Sequence, residues 1–377
     1  MELIERNNCV LSHDNELEYL YNFKNFPIFM GCTDKSNSDD LFVDMEWGIN
    51  KNNGLIQLKK LIPLNILYHK SHGAGFIGKT WNDHHKSFAF FLKDFNIKSV
   101  LEIGGSHGLL ANEFHKIKDS KWTIIEPNPY PINSEKISFI KTFFDDNFKY
   151  DGEFDSIIHS HLFEHIYEPI SFIKKLSDLL DDGKYLIFSV PNMNKMLELK
   201  YTNCLNFEHT LFLTEPYIEN LLSKNGFKLI KKEYYLDNHS IFYSYIKDKT
   251  TSLIELPNDL YKKNKNIFLE FIDYYKNLIF ELNKKIENTN NKIYLFGAHI
   301  FSQYLISFGL NQDNIVSILD NNLSKQGNRL YGTNLIVDNP LVLKYEKEPI
   351  VILKAGIYDE EIKLDILKNI NNNVIFI

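Results

Sequence analysis

Val100-Leu101-Glu102-Ile103-Gly104-Gly105-Ser106-His107-Gly108 is the stretch that decides the fold. A short apolar run carrying an acid passes into a glycine-bearing turn, and LLANEFHKI (109–117) follows with apolar residues at helical spacing. A buried strand, a tight turn and a helix are predicted in that order. Glycine takes positive φ at little cost and lets backbone approach a bound ligand closely. The turn reads E-x-G-x-x-x-G. It lacks the second close glycine of G-x-G-x-x-G, the pattern that sets a helix N-terminus on a pyrophosphate. An acid at Glu102 would repel a pyrophosphate and suit a cationic aminoacyl group.

The pattern continues outward from there. WTIIE (122–126) is a second apolar run, ending in Glu126, placed to accept hydrogen bonds from both hydroxyls of a ribose. Phe143, Phe144 and Asp145 follow a third short run and are expected to flank an adenine ring. FDSIIHS (154–160) and KYLIFSV (184–190) read as buried parallel strands, with PISFIKKLSDLL (169–180) as the helix between them. That helix is expected to end at Asp181-Asp182-Gly183, with Gly183 as a left-handed cap. A strand–helix rhythm of this kind predicts an α/β fold with an open, doubly wound sheet.

On the N-terminal side, residues 1–70 read as irregular, and TWNDHHKSFAFFLKDF (80–95) as a helix. On the C-terminal side, residues 256–291 are polar with Ile267, Phe271, Tyr274 and Ile279 at helical spacing, which predicts a connecting helix. KIYLFGAHIFSQYL (292–305) is a strand, a glycine turn and a helix. IVSILD, PIVILKA and NNVIFI are three further strands of a second α/β unit.

Composition narrows the function. Hydrophobic residues make up 44% of the 377, enough to fill cores, and 42 Lys and Arg against 49 Asp and Glu give a net charge of −7. That balance argues against nucleic acid or an anionic membrane as a partner held by bulk charge. Three cysteines, Cys9, Cys32 and Cys204, make no disulfide framework, so a reducing, cytoplasmic setting is expected. No apolar stretch is long enough for a membrane span, and the opening MELIERNNC has no secretory pattern.

Residues 97–192, with FDSIIHSHLFEHIYEP (154–169) and the Pro191-Asn192 strand end, resemble class I S-adenosylmethionine-dependent methyltransferases. A resemblance to the sugar C-methyltransferases of deoxysugar biosynthesis runs further. It rests on EIGGSHG (102–108), Asn206-Phe207-Glu208-His209-Thr210, LLSKNGF (221–227), GLIQL (54–58) with Leu67-Tyr68, and FGA (296–298), ILD (318–320) and LSKQGNRLYGT (323–333). It implies a class I methyltransferase sheet, a small irregular N-terminal region derived from a zinc module, and a C-terminal Rossmann-like domain that helps hold a nucleotide sugar. The implied division is an N-terminal substrate-contacting region at 1–80, the methyltransferase domain at 81–255, the connecting helix at 256–291 and the C-terminal domain at 292–377.

The resemblance also assigns roles. S-adenosylmethionine is the expected cofactor, held by Glu102, Gly104, Gly105, Ser106, Gly108, Glu126, Phe144, Asp145 and His161. His209, backed by Glu208, is the expected base, with His165 and Asn206 beside it. Tyr68 and His72 are expected substrate contacts. The expected substrate is a nucleoside-diphosphate sugar of surface-polysaccharide synthesis, and the expected state is a monomer or homodimer. Asn206 stands where the family has a tyrosine that stabilises an enolate, which favours O-methylation over C-methylation.

In the zinc module Cys9 remains, but Ser12, Asn50 and Asn53 replace the other thiolates, so no Cys₄ metal site is expected. Cys9, His13 and Cys32 are the remaining set for a partial site. Gly73–Thr80 matches the phosphate-loop pattern G-x-x-x-x-G-K-[ST], but without a preceding buried strand it reads as a glycine-rich segment over substrate. Two rival readings are a binding protein without turnover and an oxidoreductase using the C-terminal unit, where Gly297 stands without a G-x-G-x-x-G.

Overall fold

The computed structural model describes residues 1–68, 79–130, 135–145 and 147–377. The first segment is not irregular. Leu17–Pro27 (β1), Phe42–Asn50 (β2) and Ile56–Leu58 (β3) form an antiparallel sheet in the order β1-β2-β3. In β2 the residues Val43, Met45, Trp47 and Ile49 alternate inward at the period of a strand. In β1 two register shifts space the buried Leu20, Phe23 and Phe26 three apart, which hides the strand period from a sequence reading.

The helix Lys79–Leu92 (α1) buries His84, His85, Phe88, Ala89, Phe91 and Leu92 along one side. It leads into the central sheet: Ser99–Ile103 (β4), helix Leu109–His115 (α2), Lys121–Ile125 (β5), Ile137–Ile140 (β6), Ser156–Ser160 (β7), helix Pro169–Leu179 (α3), Tyr185–Pro191 (β8), helix Glu215–Lys224 (α4), Phe227–Tyr235 (β9) and Ser240–Lys247 (β10). The strand order is β9-β10-β8-β7-β4-β5-β6, with β10 antiparallel to both its neighbours and the other pairs parallel. The order reverses between β4 and β7, so the crevice beyond their carboxyl ends is the place where such sheets bind ligands. Helix α3 stops at Leu179, its C-cap Leu180 already extended. Gly183 takes its left-handed conformation in the turn into β8 instead, donating its N–H to Lys247 O.

Leu260–Glu287 (α5) is the connecting helix. Tyr275 points inward with Ile267, Phe271 and Ile279, while Tyr274 is exposed, one residue off the expected face. Its first turn sits on Gly54, where any β-carbon would lie 2.4 Å from the Leu260 carbonyl carbon and the Tyr261 nitrogen, so only glycine fits. The second α/β unit follows: Ile293–Phe296 (β11), helix Ile300–Ser307 (α6), Ile315–Leu319 (β12), Val337–Asp338 (β13), Ile350–Leu353 (β14), helix Asp359–Asp365 (α7) and Ile375–Phe376 (β15). These strands pair in parallel, in the order β13-β12-β11-β14-β15.

One continuous apolar cluster includes Trp47 of the N-terminal sheet, Phe188 of the central sheet, Phe268 of α5 and Leu295 and Tyr304 of the C-terminal unit. A second cluster, with Phe88, Phe114, Trp122 and Phe242, fills the opposite face of the central sheet under α1 and α2. The N-terminal and C-terminal parts are further joined by a buried ion pair. Arg329 donates from both terminal nitrogens to Asp40, at 2.6 and 2.8 Å, a bidentate geometry that suits a desolvated pair. No described helix is long and apolar enough to cross a membrane.

Candidate active site

The loop after β4 is built from left-handed residues: Gly104, Ser106 and Gly108 have φ of 74°, 46° and 80°. Gly105 lies directly on Glu102, where a β-carbon would come within 2.7 Å of the carboxyl carbon and 2.8 Å of Ile124. Glu102 itself is buried beneath the loop, accepting the Trp122 indole N–H at 2.7 Å. Burial pushes its carboxyl up to about 7, partly offset by the indole. It braces the loop from below, and is not the exposed anchor for an ammonium group that the sequence suggested. Glu126, just past β5, accepts Ser106 N–H at 3.2 Å and Asn128 N–H at 3.0 Å, so it holds the loop while standing at the crevice. Phe144 packs on Phe148 and Phe172 with the Lys175 ammonium 4.9 Å from its ring centre, whereas Phe143 is exposed and Asp145 accepts from Asn147 N–H.

On the other side of the crevice, the turn after β7 carries His161 and the short helix Phe163–His165, with Leu162 touching the Gly104 position. His161 has a left-handed backbone (φ 49°) and is largely buried, its ring between Glu164 Oε1 (3.1 Å from Nδ1) and Ser240 Oγ (2.8 Å from Nε2). Burial depresses its imidazole to about 3, so it is neutral. It faces protein groups on both sides, an arrangement unlike the cofactor contact expected of it.

Glu164, His165 and His209 converge, each offering an atom within 4.8 Å of the others. The acid partners are exchanged relative to sequence adjacency: Glu208 Oε2 lies 3.8 Å from His165 Nδ1, and it is the charge of Glu164 that acts on His209. Adjacent residues in this turn point to different neighbours. His209 Nδ1 lies 3.1 and 3.2 Å from the carbonyls of Asn203 and Cys204, which fixes the N–H there and leaves the lone pair on Nε2. Burial lowers the pKa of His209, and Glu164 works against that shift. Burial raises Glu164 to about 7. Tyr68 reaches the cluster through its hydroxyl, 2.9 Å from His165 Nδ1. Asn206 is part of the turn itself. Its Oδ1 accepts from Glu208 N–H and His209 N–H, at 2.8 and 3.0 Å, and its amide nitrogen reaches Asn203 O at 3.4 Å. It positions the two residues and is not presented as a donor to substrate. His72 and Gly73–Gly78 lie outside the described residues; Lys79 and Thr80 open α1.

Residues 79–232 match the family model described as a methyltransferase domain. They form a class I S-adenosylmethionine-dependent methyltransferase domain. No curated protein matches the chain. Among solved structures, a magnesium protoporphyrin IX methyltransferase from Synechocystis with bound S-adenosylhomocysteine is similar at 16% identity, TM-score 0.36, over 45% of this chain and 84% of that one. An S-adenosylmethionine-dependent methyltransferase from Mesorhizobium loti is similar at 11% identity, TM-score 0.36, over 46% of this chain and 100% of that one.

Two regions flank the methyltransferase domain. In the first, Cys9, Ser12 and Asn53 do come together, but through hydrogen bonds. Asn53 Nδ2 donates to Cys9 Sγ at 3.3 Å and Ser12 Oγ at 3.2 Å, while Asn50 Oδ1 accepts the amides of Asn52 and Asn53. An amide stands where a metal would tie the two turns. Cys32 is elsewhere, 3.6 Å from Ala298 O, so it forms no set with Cys9 and His13. In the C-terminal unit Asp320, just past β12, accepts Ala298 N–H at 3.0 Å and the Lys325 ammonium at 2.8 Å. Tyr358 of that unit is hydrogen-bonded by Trp81 of α1.

Proposed function

We propose that the methyltransferase domain transfers the methyl group of S-adenosylmethionine to a hydroxyl of a nucleoside-diphosphate sugar. The observation that carries this reading is the convergence of Glu164, His165 and His209 beside the crevice between β4 and β7. The left-handed glycine loop, packed down on Glu102 at Gly105, and the Glu126 carboxylate fit the donor, since the first holds the turn at the crevice and the second offers oxygens to a ribose. When bound, S-adenosylmethionine supplies an electrophilic methyl on a sulfonium. Neutral His209 would take the acceptor hydroxyl's proton at Nε2, with the methyl passing from sulfur to that oxygen as its bond to sulfur breaks and S-adenosylhomocysteine leaves. Glu164 stabilises the imidazolium that results. The carbonyls of Asn203 and Cys204 keep the ring in the correct tautomer throughout. The sugar-nucleotide class rests on the resemblance at residues 206–210, 296–298 and 318–333.

A second reading is favoured by one contact. The Tyr68 hydroxyl beside His165 is an O–H donor within the cluster, which could stabilise an enolate and so support C-methylation of a keto sugar. Incubation with S-adenosylmethionine and a panel of sugar nucleotides, followed by mass spectrometry, tests the proposal: one substrate gains a methyl mass. An oxygen-bound methyl in the product NMR spectrum supports the first reading. A carbon-bound methyl, with exchange of the proton beside the ketone in deuterated water, supports the second. Donor binding with no methylated product from any sugar nucleotide overturns both.

A further inference from the structure

Next to the base cluster, three other imidazoles meet. His84 comes from α1, His161 from the end of β7, and His239 from the turn before β10. One ring nitrogen of each lies within 4.8 Å of the others. These are histidines far apart in the chain, so no sequence spacing announces them. His84 is fully buried, and neither of its ring nitrogens has a hydrogen-bond partner among the described residues. An imidazole held this way loses its hydration without replacement, which is unfavourable for each buried polar nitrogen. Such an orphan inside a cluster of its own kind signals a ligand.

The surroundings supply what a metal site requires beyond its ligands. Glu164 Oε1 faces His161 Nδ1 at 3.1 Å, and Ser240 Oγ bonds His239 Nδ1. If each oxygen accepts the ring N–H, the lone pairs of both imidazoles sit on Nε2. Carboxylate or hydroxyl oxygens in this role orient ligating histidines in many metal proteins. Ser240 Oγ also lies 2.8 Å from His161 Nε2, a contact that a metal would replace. The Trp81 indole covers the group, with its ring centre 5.3, 4.8 and 5.0 Å from those of His84, His161 and His239.

We propose that His84, His161 and His239 hold one divalent transition-metal ion, with zinc as the preferred probe. Three neutral nitrogen donors without thiolates suit zinc and its borderline neighbours, and disfavour magnesium and calcium, which seek oxygen. Tetrahedral zinc with Zn–N of about 2.0–2.1 Å sets its ligand nitrogens roughly 3.4 Å apart, so side-chain rotation of about 1 Å closes the set. Three protein ligands leave one coordination position open. The ion would pin α1 and the 236–239 turn to the carboxyl edge of β7. It would also touch the base cluster through Glu164, which faces His161 on one side and acts on His209 on the other. The site is separate from the N-terminal turns that have lost their thiolates, and it replaces the expectation of a chain without metal.

The test is metal content. The full chain is stripped with chelator, equilibrated with Zn²⁺, desalted and assayed by elemental mass spectrometry, with circular dichroism to confirm folding. About one zinc per chain is expected. His84→Phe keeps the aromatic packing against Phe88 and Phe242 and should lose the zinc, while His209→Ala should keep it. If His84→Phe does not fold, His239→Gln replaces it in the comparison. A folded wild-type protein that retains no zinc overturns the proposal. So does zinc that survives the His84 or His239 change, or zinc lost in His209→Ala.

Discussion

Glu126 and Asp320 occupy matching places in the two parallel-stranded units of this chain. Each stands just past the second strand of its unit and accepts a backbone N–H from the loop after the first: Ser106 at 3.2 Å in one, Ala298 at 3.0 Å in the other. The differences lie around that shared clasp. The loop beside Glu126 has three left-handed residues and a glycine that any side chain would drive into Glu102. Beside Asp320, Gly297 has φ 101° but open space around its β-carbon position, with nothing nearer than Phe301 at 3.9 Å. Among the described residues Glu126 bonds backbone amides, whereas Asp320 is neutralised by Lys325 at 2.8 Å. Most telling, the first crevice faces Glu164, His165 and His209, and no such group of ligating side chains stands among the described residues of the second unit. A strand, a loop and an acid are architecture common to both; the imidazole-bearing turns gather at the first crevice, although the Tyr304 hydroxyl of the second unit helps hold one of them through Leu205 O.

The comparison breaks most visibly at the base. His209→Ala should lower kcat by about 10²–10⁴-fold, the usual worth of a general base, with donor affinity retained. Steady-state kinetics on the methylated substrate would show it, and a kcat within a few-fold of wild type would remove His209 from the mechanism.

The two glycine loops offer the next contrast. Gly105→Ala overpacks the contact with Glu102 and Ile124 and should weaken S-adenosylmethionine binding by ~1–3 kcal/mol. Gly297→Ala forces a left-handed residue, costing about 1–2 kcal/mol of stability, and should leave donor affinity unchanged. Calorimetric titration alongside thermal melts separates the two effects.

The smallest expected effect is in pH. The base works when neutral, and burial holds the His209 pKa below its usual value, so kcat/KM should stay on its plateau to below pH 6.5. Glu164 raises that pKa. Glu164→Gln should therefore move the acid limb to lower pH still, and a limb displaced upward would contradict the pairing.

What was legible in the sequence was what repeats locally. The apolar runs at 99–103, 121–125, 156–160 and 185–191 are β4, β5, β7 and β8, and the four strands expected from residue 292 onward are present, joined in their sheet by Val337–Asp338. The N-terminal sheet escaped because bulges in β1 break its period. The hairpin β9–β10 carries polar and aromatic residues on both faces and gives no clean alternation. In the site, residue types were legible and partners were not. His209 stands next to Glu208 in sequence, but the turn held by Asn206 aims the two side chains apart. The meeting of His84, His161 and His239 depends on tertiary packing of three separate elements and left no local trace. Cys9, Ser12 and Asn53 show the converse: spacing from a lost metal module predicted their proximity, and an amide now supplies the tie.

The two clasps are alike in form, and a titration with the methyl donor separates them. S-adenosylmethionine titrated calorimetrically into the full chain should bind at one site. Glu126→Ala should weaken it by ~1.5–3 kcal/mol, as expected for hydrogen bonds to a charged group, and Asp320→Ala should leave it unchanged. Unchanged affinity in Glu126→Ala together with a loss in Asp320→Ala would place the donor in the C-terminal unit and contradict the account.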